Sequence, residues 1–100
     1  MEITEVRVFP VNNEERLKAY ATITIDNVFL IRDLRVISGN AGLFVAMPSR
    51  KMKDGTFKDI AHPLNSGTRQ VIEKRVLAEY ERELANPTKR EPALIVPKEQ

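Results

Sequence analysis

The sequence predicts an α+β fold, in which a small antiparallel β-sheet of four to five strands is packed with one C-terminal amphipathic α-helix. Three observations predict it. Residues 17–25, LKAYATITI, place Leu17, Ala19, Ala21, Ile23 and Ile25 on one face and Lys18, Tyr20, Thr22 and Thr24 on the other, the period of a strand with one side in the core and one in water. The connections between the first four strand candidates are too short for a parallel crossover, which leaves an antiparallel meander. Beyond residue 65 the apolar period lengthens from that of a strand to that of a helix.

Each element has a local reason. EITEVRVF (2–9) is rich in β-branched residues and stops at Pro10. The 17–25 strand turns at Asp26-Asn27, two residues that tolerate positive φ, and hands over to VFLIRDLRVI (28–37). The polar SGNAG (38–42) is a second turn, and LFVAM (43–47) is a fourth strand ended by Pro48. TFKDIA (56–61) reads as a short fifth strand after an Asp54-Gly55 turn. Asn65 or Ser66 caps a helix over 68–84, where Val71/Ile72, Val76, Leu77, Tyr80 and Leu84 recur at helical spacing. Pro87 ends it. The reading is one domain over 1–86 and a proline-rich extended tail over 87–100, whose apolar ALIV (93–96) is free to dock or to pair as an edge strand.

Composition narrows the function classes. One hundred residues with 42% hydrophobic and 30% charged content suit one globular domain, too apolar for a disordered chain and too polar for a membrane one. Cysteine is absent, so disulfides and thiolate metal sites are excluded. Neither a leader pattern nor an apolar run of spanning length is visible, and the expectation is a cytoplasmic protein, with association to the nucleoid allowed. The net charge of +2 is unevenly spread: residues 50–75 hold seven Lys/Arg against three Asp/Glu, whereas 1–49 hold five against six and 76–100 four against five. The positive excess therefore lies in one quarter of the chain, where it creates a local potential.

Catalysis and metal binding find little footing there. His62 is the only histidine, and carboxylates such as Asp54 or Asp59 would have to complete any metal site. Ser49, Ser66, His62 and Asp59 have the residue types of a hydrolase without a nucleophile elbow or another spacing that joins them. His62 is expected to bond nearby backbone at the entrance to the helix. Glycines 39, 42, 55 and 67 match no nucleotide fingerprint. The expectation is no enzyme, no metal, no cofactor, no small-molecule substrate and no membrane.

The cations remain. Arg50, Lys51, Lys53 and Lys58 surround the Asp54-Gly55 turn, and Arg69 and Gln70 fall in the first helical turn beside free backbone N–H groups and the positive end of the helix dipole. Arginine forks, lysine charge and directed amides together make a phosphate receptor, so a polyanion is the ligand class expected. A monomer with so few phosphate contacts binds weakly, and a dimer doubles them. The bland alternative is a solvated charged surface.

A resemblance sharpens the reading. The stretch LRVISGNAGLFVAMPSRKMKDGTFKDIAHPLNSGTRQVIEKRVLAEYE resembles the stage V sporulation protein G family of bacteria, most specifically in GLFVAMPSRK (42–51) and DIAHPLNS (59–66), and the opening 37 residues look like the start of that family too. The resemblance covers about residues 1 to 85. It implies a small antiparallel sheet with a C-terminal helix, a homodimer, and a cytoplasmic regulator of septation, sporulation and gene expression that binds DNA and RNA. Position by position, the family's basic loop falls on Ser49, Arg50 and Lys51, and its helix-start segment on Ser66, Gly67, Thr68, Arg69 and Gln70. The nucleic-acid-contacting set expected is thus Arg50, Lys51, Lys53, Lys58, Ser66, Thr68, Arg69 and Gln70, with Lys74 peripheral. The competing class is a protein-interaction module of the division or regulatory machinery, which would use the same basic surface, Tyr80 and the ALIV tail without nucleic acid.

Overall fold

Alternation and turn chemistry lay down the first four strands as a meander. In a computed structural model that describes residues 1–12 and 15–87, β1 (Ile3–Pro10), β2 (Leu17–Ile25), β3 (Phe29–Gly39) and β4 (Gly42–Ala46) form one antiparallel sheet in the order β1-β2-β3-β4. Asp26 and Asn27 both take positive φ, 53° and 60°, and Val28 N–H closes the turn on the Ile25 carbonyl. β5 (Ser49–Lys51) and β6 (Phe57–Asp59) form a separate antiparallel pair, and α1 (Ser66–Ala85) ends the described chain. The fifth strand expected from the sequence is present in shortened form, and it pairs with the basic segment instead of extending the main sheet. Pro48 explains the division: it lacks an N–H for the ladder, so β4 stops and a new pair begins. Apart from Pro87, the tail assigned to 87–100 lies outside the described residues.

Three irregularities bend the sheet. The β1–β2 register shifts between Ile3 and Glu5, and the β2–β3 register shifts between Leu17 and Ala19 and again between Ala21 and Ile23. At the last of these, β3 advances from Ile31 to Leu34 while β2 advances only from Ile23 to Ala21, and Asp33 absorbs the extra residue at φ 69°. Bulges of this kind sharpen strand bending and twist. The bend lets one helix reach both outer strands. The Arg75 guanidinium donates to the Ile3 carbonyl of β1 at 2.9 Å, and the Glu73 carboxylate accepts from the Val45 N–H of β4 at 3.1 Å.

Between sheet and helix lies one buried cluster, in which Ala21, Ile23, Leu34 and Val36 join Ile72, Val76 and Tyr80. The helical stripe departs from the expected one at its ends: Val71 and Leu84 are 49% and 56% exposed, whereas Glu83 is buried. Spacings of four, four and three carry the buried line from Ile72 through Val76 and Tyr80 to position 83, so Leu84 falls beside it. No helix among the described residues is long and apolar enough to cross a membrane.

Leu34, fully buried, and Leu84, mostly exposed, give a paired test of this packing. Leu34→Ala is expected to lower unfolding free energy by about 2–5 kcal/mol, and Leu84→Ala to change it by no more than about 0.5 kcal/mol. Urea unfolding of the two variants measures both; equal losses would contradict the placement of the core.

Candidate functional site

The stretch from Arg50 to Ile60 is exposed at every residue, yet it is ordered by its own backbone bonds. Ser49, Arg50 and Lys51 stand opposite Asp59, Lys58 and Phe57. Met52 N–H donates to the Thr56 carbonyl at 2.7 Å, Gly55 N–H to the Met52 carbonyl at 3.0 Å, and Ile60 N–H to the Pro48 carbonyl at 2.7 Å. Lys53, Asp54 and Gly55 thus make a three-residue hairpin loop, and Gly55 at φ 91° supplies the conformation that closes it. The Asp54 carboxylate accepts from the Thr56 hydroxyl at 2.7 Å and from its amide at 3.0 Å. Those two bonds hold the Asp54 carboxyl below its ordinary range, so it stays ionised while bonded inside the turn.

The basic segment is therefore a β-hairpin, and its pairing sorts the cations. Arg50 lies directly across from Lys58, and Lys51 from Phe57. Like charges at facing positions repel. Among the described residues, Arg50, Lys51, Lys53 and Lys58 form no ion pair; the bridges there join Arg7 to Glu5 and Arg82 to Glu79 and Glu83. The hairpin is tied to the main sheet by Arg35, whose guanidinium donates to Ser49 Oγ at 3.0 Å and to the Met47 carbonyl at 3.4 Å.

The second cationic group is the start of α1. Asn65 is the N-cap, and its Oδ1 accepts from Thr68 N–H at 2.7 Å. The Arg69 amide bonds back to the Asn65 carbonyl at 3.2 Å, so the backbone donors expected at this end are partly taken up by the chain itself. The first turn carries no acidic residue. Ser66, Arg69, Gln70 and, one turn on, Lys74 are exposed, and Thr68 is half-buried. Arg75, counted in the basic excess, is instead bonded to the β1 edge.

The two groups are linked by residues 60–65, which pass an apolar recess of about 170 Å³ lined in part by Met47, Pro48, Ala61, His62, Thr68 and Ile72. His62 Nδ1 lies 3.0 Å from the Pro63 carbonyl, the backbone contact expected of it. Among the described residues no cluster of three His, Asp or Glu side chains is arranged to hold a metal.

Two participants are weakly marked in the sequence. Arg35 sits in an alternating strand and carries no sequence mark of its contact with Ser49. Phe57 did carry one, an aromatic between cations, but its significance depends on the hairpin register that leaves it 67% exposed.

Comparison with known proteins agrees with the resemblance. The SpoVG family model matches residues 1–82. Relatives named "Putative septation protein SpoVG" include one from Anaeromyxobacter sp. (strain K), 73% identical over 84 residues that cover 84% of this chain and 82% of the relative. One from Bdellovibrio bacteriovorus is 64% identical over 84% of this chain and 77% of its own. One from Geobacillus thermodenitrificans is 60% identical over 82% of this chain and 85% of its own.

Proposed function

The chain belongs to the SpoVG family, and on that premise we propose that it is a homodimeric, cytoplasmic, site-preferring DNA- and RNA-binding regulator serving septation or sporulation, without enzymatic activity. Phosphates are contacted by Arg50, Lys51, Lys53 and Lys58 of the hairpin and by Ser66, Thr68, Arg69 and Gln70 at the helix start, with Lys74 at the margin. The observation that carries this reading is the facing pair Arg50 and Lys58, held by backbone bonds and, among the described residues, unmatched by a carboxylate. A phosphate between or beside them relieves their repulsion. The acid-free first turn of α1 adds donors and a favourable dipole.

Second-copy pairing draws support from the β2–β3 tip. Val28, Phe29 and Leu30 at the β2–β3 tip are 83%, 62% and 50% exposed, an apolar group that a partner subunit would cover. Pairing also brings two hairpins to one polyanion, raising the contact count that a single copy lacks.

Arg50→Ala is expected to weaken binding to unrelated DNA and RNA sequences about equally and to flatten the slope of log K against log salt by about one unit, because phosphate contacts carry no base information. Titration of labelled DNA and RNA at two salt concentrations reads both effects. A change of preference at one base with nonspecific affinity intact would remove the phosphate role, and no binding even at low salt would favour the protein-interaction module. Sedimentation at micromolar concentration is expected to show a dimer; monomer alone would remove the pairing.

A further inference from the structure

The hairpin has two unlike faces. Alternation puts Arg50 and Lys58 on one side, and Lys51 with Phe57 on the other. Phe57 contributes nothing to the buried core: it is 67% exposed, it lies outside the core cluster, and its cross-strand neighbour is a lysine in place of an apolar partner. A large aromatic ring left in water beside an ammonium group is a poor device for holding a hairpin together. It is a good one for a ligand that is flat and anionic at once.

We infer that Phe57 is a base-stacking residue, and that the ligand it selects is single-stranded nucleic acid, whose unpaired bases lie open to its ring. This rests on the nucleic-acid reading above and deepens it. Facing side chains on a two-stranded ribbon have Cβ atoms about 5 Å apart, so Lys51 reaches a phosphate of the strand while Phe57 takes the face of a base beside it. Stacking on an aromatic ring tolerates any base and adds to the electrostatic attraction of neighbouring cations.

A duplex is the poorer fit. For an apolar side chain to enter a duplex it must unstack a base step, and that cost is met when the bent duplex wraps more protein surface. β5 and β6 have three residues each, which makes each strand about 10 Å long at roughly 3.3 Å per residue. So short a ribbon offers little surface to wrap. A single strand presents its bases without that cost.

The test compares a short thymidine oligonucleotide with a duplex of matched length, using the full chain and the variants Phe57→Ala, Phe57→Tyr and Arg50→Ala. Phe57→Ala is expected to weaken single-strand binding about tenfold, to leave duplex binding within about twofold, and to leave the salt slope unchanged, since no charge is removed. Phe57→Tyr retains the ring and is expected to retain single-strand affinity. Circular dichroism of the variants should match the parent, because the ring is not in the core. Loss of both ligands alike, loss of neither, or conversion to a monomer in sedimentation would overturn the inference, the last by assigning the ring to self-association. If Arg50→Ala weakens binding and Phe57→Ala does not, stacking fails and the phosphate reading stands. If the parent chain binds neither oligonucleotide nor duplex, both fail together.

Discussion

One helix bonded to both outer strands of a bent sheet is the constraint on which the rest of the molecule depends. Glu73 takes the Val45 amide of β4 and Arg75 gives to the Ile3 carbonyl of β1, while Ile72, Val76 and Tyr80 seal the sheet's inner face. The helix reaches both edges because bulges in the β1–β2 and β2–β3 ladders, above all the one absorbed by Asp33, curl the meander. The core is then complete without residues 50–60. That stretch is relieved of any duty in holding the fold and is free to display charge.

A two-stranded hairpin alone in water is marginally stable, and facing cations weaken it further. Here several local devices offset that cost: Arg35 fastens Ser49 to the sheet, Asp54 braces the turn through Thr56, and Ile60 pairs with the Pro48 carbonyl. The result is an ordered arm whose cations form no ion pair among the described residues. Across the recess beside His62, the helix start adds a second cationic point whose cap is already filled by Asn65. Arg50, Lys51 and Lys53 share an open recess of about 380 Å³ with Met52 and Asp54.

Much of the fold was legible in the residues. The 17–25 strand is found with the boundaries its alternation implies, and Asp26-Asn27 turns as its side chains allow. The basic segment was harder to read: three-residue strands are too short for a period to show, so the arm looked like a loop around a turn. Ile31 and Leu34 both face the core because of the bulge, and their spacing of three was the only trace of it in sequence. The helix stripe follows its spacing through the middle and departs from it at Leu84, where Glu83 takes the inward position. Of the site, the cations were visible as a charge excess. Their sorting into an Arg50/Lys58 face and a Lys51/Phe57 face was not, since it is set by pairing register, and Arg75 could not be told apart from its neighbours until its bond to Ile3 was seen.

Hydrogen exchange with and without bound oligonucleotide tests the central claim most directly, because it reports which backbone segments a ligand protects. Protection concentrated in residues 49–59 and at the beginning of α1, fading as salt is raised, is the predicted result. Protection confined to the β2–β3 tip or the outer face of the main sheet, with the hairpin amides unchanged, would contradict it.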